Sequence, residues 1–398
     1  MPETESFVSV KLKPGQEDRL RAGHLWVFSN EIAGVEGPAE PGSLAQIFTA
    51  GGESLGLAFY HPNSLIAARL LTSKVEAIDA AFFHKRLAAA LAYRQRACPG
   101  ETSFRLAFGE SDGLPGLVAD RYGDTVVLQV FSAGMEARLP LIEAALKELL
   151  DPRGIFLKND HRARQLEGLP GECRLLCGTV PERVAISEGG LRFWVPIGEG
   201  QKTGHYFDQR ENRAFLRPWF KDRAVVDLYC YTGAFAVNAA KSGAKAVLAV
   251  DSSGPAVALA KENAKLNGVS EAMTCDEADA EAVLESFASG RQPFRPDLIL
   301  LDPPSLVPSK KHLPKALRAY AKLNSLALKA LAPGGVLATS TCSHHVDRES
   351  FVGMLRYAAG KARRAARLTA LRGQAADHPV LLAMPETEYL HFALLEVL

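Results

Sequence analysis

The chain has 398 residues, with 46 Lys and Arg against 45 Asp and Glu, for a formal charge of +1. That length predicts two or three domains with a sizeable core, and the charge balance excludes a chain-wide attraction to nucleic acid or anionic membrane. No apolar run is long enough to span a bilayer and the start, MPETESFVSV, has no basic or apolar leader character, so a cytoplasmic protein with no membrane partner is expected. Residues 1 to about 72 read as short strands (VSVKL, LWVF, SLAQIF, LGLAFY and LIAARLL) between turn glycines and prolines, a small β barrel or sandwich. From Ile78 to Cys98 apolar residues recur at helical spacing, with Lys85, Arg86, Arg94 and Arg96 on the polar side. Strands then return in FRLAFGE, GLVADRYG and TVVLQVF. A helix over Ala137 to Leu150 and the strand GIFLKND complete an α+β module. Between Arg174 and Pro196 two strand-like runs flank Glu188-Gly189-Gly190, a predicted hairpin. The domains expected are 1–73, 74–190 and 191–398.

In the last of these the pattern changes to alternating buried strands and helices. VVDLY breaks into a small-residue loop and a helix beginning near Gly233, the arrangement by which an open α/β sheet holds a nucleotide-like ligand. The loop has Cys230, Tyr231 and Thr232 where a dinucleotide fingerprint wants glycines. That argues against a pyrophosphate and for a ligand without phosphates, S-adenosylmethionine. AVLAVDSS ends a second strand at Asp251, placed to accept hydrogen bonds from ribose hydroxyls, and the next helix runs from Pro255 to the Asn267-Gly268 stop. MTCDEADA offers Asp276 or Asp279 for an adenine amino group at the third tip. DLILLDPPS and GGVLATSTCSHH end the fourth and fifth strands at Asp302 and at Thr341-Cys342-Ser343-His344. One such Asp alone is as readily a helix N-cap, but five tips in register predict a doubly wound sheet with its site along that edge.

Taken in order, RAGHLWVFSNEI (Arg21 to Ile32), SDGLPGLVADRYGD (Ser111 to Asp124), QKTGHYFDQRENR (Gln201 to Arg213), DLYCYTGAFAVNAA, VDSS, LDPPS, TCSH and ADHPVLLAMPETEYL (Ala376 to Leu390) carry a resemblance covering essentially the whole chain. They resemble the bacterial class I methyltransferases that make 5-methylcytosine in 23S ribosomal RNA. Members have an N-terminal PUA domain, a central α+β domain and a C-terminal Rossmann-like catalytic domain. The resemblance implies S-adenosylmethionine as cofactor and 23S ribosomal RNA or a large-subunit precursor as partner. It places Asp208, Gln209 and Arg210 at the cofactor's methionine end, with Asp227, Tyr229, Gly233, Asp251, Ser252, Asp279 and Asp302 along the rest of the cofactor site. The oligomeric state stays open, a homodimer included.

Cytosine C5 is a poor nucleophile, so methylating it calls for a thiolate that adds to C6 and makes C5 enamine-like. Cys342 stands at a strand tip facing the expected base, while Cys230 stands beside the first strand, on the cofactor's side. Cys98, Cys173, Cys177 and Cys275 read as small buried hydrophobes, and Cys173-x3-Cys177 has no companion His or Cys pair, so no metal site is expected. Asp302 is placed to hydrogen-bond N3 or the amino group of a flipped cytosine, with Pro303 and Pro304 stiffening the turn. His344 and His345 are candidates for the base that removes the C5 proton. After this motif Lys310, Lys311, Lys315, Arg318, Lys322 and Lys329 make a basic strip that suits phosphates, with the Arg356 to Arg372 cluster a weaker patch. Two other readings stand beside this one: a guanine N7-type methyltransferase on the same fold, which needs no thiol, and an RNA-binding or ribosome-assembly protein without catalysis.

Overall fold

Val8, Val10 and Leu12 alternate with Ser9 and Lys11 along β1 (Val8–Leu12), burying one face as the two-residue repeat of a strand requires. The computed structural model describes residues 7–292, 294–307 and 309–398. The chain packs as two units, one of Met1–Val184, Pro196–Phe207 and Ala376–Thr387, the other of Ala185–Val195, Asp208–Ala375 and Glu388–Leu398.

In the first unit, β1 is followed by α1 (Asp18–Arg21), β2 (Trp26–Phe28), β3 (Ile32–Glu36), β4 (Ser43–Phe48), β5 (Ser54–Tyr60) and β6 (Ile66–Thr72). The strands form one sheet in the order β2-β6-β5-β4-β1-β3. Its pattern was legible except at β3, where IAGVE buries neither face completely and pairs antiparallel with β1. Next come α2 (Ala80–Ala97), β7 (Ser103–Phe108), β8 (Leu117–Tyr122), β9 (Thr125–Val130), α3 (Ala133–Ala137), α4 (Leu139–Leu150), β10 (Gly154–Asn159) and β11 (Glu172–Gly178). These strands form a second sheet, ordered β11-β10-β9-β8-β7. The Asp79 side chain caps α2 by accepting from the Phe82 N–H at 3.0 Å.

Arg94 departs from the amphipathic reading of this helix. It is fully buried, and its guanidinium grips both oxygens of Asp112 while donating to the carbonyls of Arg105 and Asp377, each at 2.9 Å. A cavity of about 590 Å³ also opens in this unit, lined by residues including His61, Asn63, Glu136, Leu166 and Glu167, and no strand-tip acid lines it.

A hairpin of β12 (Arg183–Glu188) and β13 (Leu191–Pro196) turns at Gly189 and Gly190, both with positive φ. The remaining elements are α5 (Arg210–Phe220), β14 (Ala224–Leu228), α6 (Ala234–Lys241), β15 (Ala246–Asp251), α7 (Gly254–Leu266), β16 (Met273–Glu277), α8 (Ala280–Ala288), β17 (Leu298–Leu301), α9 (Leu313–Ala330), β18 (Val336–Thr341), α10 (Arg348–Ala362), β19 (Ala366–Arg372) and β20 (His391–Val397). Their seven strands run in the order β16-β15-β14-β17-β18-β20-β19, parallel through β18, with β20 antiparallel to both neighbours. Parallel strands are covered on both faces, which is why β17 (LILL) and β18 (VLATST) are buried at every position. Helices α8, α9 and α10 pack over one side through Leu284, Tyr320, Leu328, Phe351 and Leu355. The order reverses between β15-β14 and β17, so the crevice for a ligand lies beyond the carboxyl ends of β14 and β17.

Candidate active site

The first turn after β14 is held in an unusual backbone shape. Tyr229, Tyr231 and Gly233 have φ of 63°, 48° and 80°, and left-handed tyrosines cost energy that folded structures mostly tolerate where function needs the shape. Asp251, at the end of β15, fastens that shape: its two carboxylate oxygens accept from the N–H of Tyr231 and of Ser253, both at 2.9 Å. The N-cap of α7 is Ser253, so Asp251 keeps lone pairs for a ligand. Ser252, beside it, is exposed. Asp279 does cap its helix, α8, accepting from the Ala282 N–H at 2.8 Å, and its exposed carboxylate remains at the third tip. Asp276 is exposed within β16.

Asp227 is 1% exposed and its Oδ2 has no hydrogen-bond partner among the described residues. Burial raises its pKa well above the ordinary carboxylate range, and the nearby charges of Asp302 and Asp251 raise it further. Burial likewise pushes the Tyr229 phenol up to about 12, with Asp279, Glu281 and Asp251 acting in the same direction. Asp227, Asp251, Asp279, Asp302 and Tyr229 therefore share one electrostatic neighbourhood that favours a cation. A carboxyl raised by folding stabilises the fold below its unfolded pKa of about 4, and that contribution is lost as pH rises through the folded value. Asp227→Asn is expected to melt higher than the parent at pH 7–8, with the gap closing toward pH 4. Melting curves across that range check it, and a pH-independent difference would contradict the assignment.

On the other side of the switch point, Ser340 donates to Asp302 Oδ1, and Gln209 Nε2 donates to Asp302 Oδ2 and to Ser340 Oγ, both at 3.1 Å. Gln209 is itself oriented by Asn212, whose Nδ2 donates to Gln209 Oε1 at 2.7 Å. Asp208 accepts from the Tyr389 hydroxyl at 2.6 Å, and the Tyr389 ring lies 5.1 Å from that of His344. Arg210 is buried, 3.5 Å from Glu188, while Glu211 faces Arg372 instead; the two neighbours are not a surface pair. The DPPS turn is held from α9, where Tyr320 donates to the Pro304 carbonyl at 3.2 Å and accepts from the Leu306 N–H at 3.0 Å. Burial raises the pKa of Tyr320, and charge on Cys342 and Asp302 adds to the rise, so both groups lie close to this phenol.

The cysteines divide clearly. Burial pushes the Cys230 thiol well above its ordinary value, helped by Asp227 and Asp251, and burial takes Cys275 up to about 11. Neither is suited to form a thiolate. Cys342 is half-exposed directly past the end of β18. Two cysteines of β11, at the edge of its sheet, correct the reading of the remaining four as buried: Cys173 is exposed and Cys177 only half-buried. Among the described residues no group of three or more His, Cys, Asp and Glu could hold a metal ion, and no helix is long and apolar enough to cross a membrane.

Ser340 and Tyr389 join the site without having been singled out in the sequence. Ser340 could have been found, since it lies two residues before Cys342, near the end of the same strand. Tyr389 could not, because its contact with Asp208 joins distant parts of the chain.

A Rossmann-like sheet of this order, with acids at four successive strand tips, defines a class I S-adenosylmethionine-dependent methyltransferase. Residues 143–359 match the S-adenosylmethionine-dependent methyltransferase family, and residues 10–73 the PUA-like domain family. A ribosomal RNA large subunit methyltransferase I from Aeromonas hydrophila is 39% identical over 96% of this chain and 97% of its own, and one from Cronobacter sakazakii is 38% identical over 96% and 98%. Two solved methyltransferase structures share the fold at 22% identity. One, from Streptococcus mutans, has a TM-score of 0.84 and the other, complexed with SAH, 0.86; each match covers 98% of this chain and 100% of that one. The chain belongs to the S-adenosylmethionine-dependent methyltransferase family that includes the Aeromonas and Cronobacter proteins, and it joins a PUA-like domain to that catalytic domain.

The site fits the family's cofactor. Asp227 leaves a buried carboxylate oxygen unpartnered among three further acids, a setting made for a ligand with a positive centre and hydrogen-bond donors.

Proposed function

We propose that this protein methylates C5 of a cytosine in large-subunit ribosomal RNA through a covalent adduct between Cys342 and C6 of the base. The observation that carries the reading is the half-exposed thiol at the tip of β18, two residues past a Ser340 that is hydrogen-bonded to Asp302. The names of the relatives support ribosomal RNA as the substrate.

When bound, the cofactor supplies an electrophilic methyl group. Asp227, Asp251, Ser252 and Asp279 with Tyr229 and Gly233 form the side that would hold its nucleoside and sulfonium, and Asp208, Gln209 and Arg210 the side that would hold its methionine end. Asp302 accepts a hydrogen bond from the cytosine edge, held in place by Gln209 and Ser340, and Pro303 and Pro304 keep its turn stiff. The Cys342 thiolate adds to C6, moving electron density to C5. After methylation C5 carries both a methyl and a proton; a base removes the proton, the C5–C6 double bond re-forms and the thiolate leaves. His344, held against Tyr389, and the exposed His345 are the side chains nearest in sequence for that last proton.

Asp251→Ala removes the acceptor of two backbone hydrogen bonds and frees a strained turn. It is expected to weaken S-adenosylmethionine binding by about 1–3 kcal/mol, roughly fivefold to 150-fold. Calorimetry returning parental affinity would remove Asp251 from the cofactor site.

A further inference from the structure

Helix α10 buries Phe351, Met354, Leu355, Ala358 and Ala362. Its other face carries Arg356, Tyr357 and Lys361, with Arg363 and Arg364 at its carboxyl end, and all of these but the half-buried Arg364 are exposed. None of the four Arg and Lys side chains makes a hydrogen bond or ion pair with another described residue, and Lys361 sits 5.5 Å over the Tyr357 ring. The basic strip of α9 differs at this point, because Lys322 is neutralised by Glu281 and Glu285 of α8. Two glycines, Gly353 and Gly360, lie on the same exposed face of α10, where a Cβ on either would meet no atom within 4 Å. Glycine is a poor helix former, and nothing inside the protein demands it at these positions. A bare helix surface between unpaired cations leaves room for a phosphodiester chain to approach the backbone.

We infer that this face of α10 is a second RNA contact, gripping phosphates of the substrate remote from the target base. This rests on the methylation of RNA proposed above. α10 begins just past the strand-tip loop, and Arg356 to Arg363 lie roughly 12–22 Å farther along it at 1.5 Å per residue. An RNA seated at Cys342 reaches them only after about four to seven nucleotides at roughly 3.4 Å each. The patch therefore favours a long or folded RNA over a mononucleotide. The cations supply affinity through counterion release, and Tyr357 offers a ring on which an unpaired base stacks.

The test uses the full chain and deproteinised 23S ribosomal RNA as probe, with filter binding across a salt series. The triple change Arg356→Ala, Arg363→Ala and Arg364→Ala should lower affinity about tenfold to a hundredfold near 0.15 M salt. It should also reduce the log–log salt slope by roughly two to three. S-adenosylmethionine affinity and melting temperature should not move, because these side chains make no hydrogen bond or ion pair with another described residue. The matching Arg→Lys triple should keep the slope, and Tyr357→Ala should weaken binding severalfold without changing it. A triple Ala variant that binds and methylates the RNA as the parent does overturns the patch and leaves the proposed activity standing. Loss of binding to phosphatidylglycerol vesicles with RNA binding unchanged overturns it in favour of a lipid surface. A parent that neither binds nor methylates the RNA overturns the activity as well.

Discussion

Cys342→Ala is expected to abolish methyl transfer, by at least about a thousandfold, while leaving S-adenosylmethionine binding near the parental value. A nucleophile acts along the reaction path and contributes little to ground-state cofactor binding. RNA carrying 5-fluorocytosine at the target should trap a denaturation-resistant adduct, since fluorine replaces the proton whose departure releases the thiol. Cys230→Ala should still trap, because its buried thiol is held well above the ordinary range. Substantial activity in the Cys342 variant, or no adduct on a proven substrate, would end the covalent mechanism. Guanine methylation on the same fold would then be the better account.

Arg94→Ala is expected to destabilise the first unit by about 3–5 kcal/mol, the cost of breaking a buried ion pair from one side. Arg94 is fully buried, the Asp112 side chain is only 7% exposed, and the Arg94 guanidinium also holds the carbonyl of Asp377. Asp377 in turn accepts from the Arg105 N–H at 3.0 Å, and Arg105 pairs with the fully buried Asp120. Removing Arg94 leaves the Asp112 charge desolvated and frees the Ala376–Thr387 segment from α2. Thermal unfolding should fall by roughly 6–20 °C for a unit of this size, and limited proteolysis should cut in Ala376–Thr387. The paired change Arg94→Leu with Asp112→Leu should recover part of the loss, because neither charge is then stranded. A drop under about 1 kcal/mol for Arg94→Ala would mean that water reaches the pair.

Along the catalytic sheet the elements that could be read early are those whose local chemistry already agrees with their tertiary place. VVDLY, AVLAVD and LILL are apolar because parallel strands are covered on both sides, and the acids that end them mark the edge. β19 and β20 could not be read that way. ARLTALR is rich in good helix formers and basic residues, and it becomes a strand only because β20 pairs with it. β20 itself lies between β18 and β19, outside the strand–helix alternation. Arg94 departs from its helical pattern for a related reason: charge puts a residue on the solvent face of a helix unless a partner farther along the chain meets it inside. That partner, Asp112, lies in the turn beyond β7 and leaves no periodic signal on α2.

By itself the sequence determined the class of sheet, the acids at its strand tips, the phosphate-free loop after β14 and the cysteine after β18, because each depends on residues near one another in the chain. The folded structure alone decided how those tips act. It made Asp251 the clamp of a left-handed turn, gave Asp302 to Gln209 and Ser340, set Tyr389 on Asp208 and neutralised Lys322 while leaving Arg356, Lys361, Arg363 and Arg364 without an ion pair among the described residues. The physical reason is range. Hydrophobic periodicity and turn chemistry are local and written along the chain, whereas burial, desolvation and charge pairing depend on which distant segments the fold brings within a few ångströms.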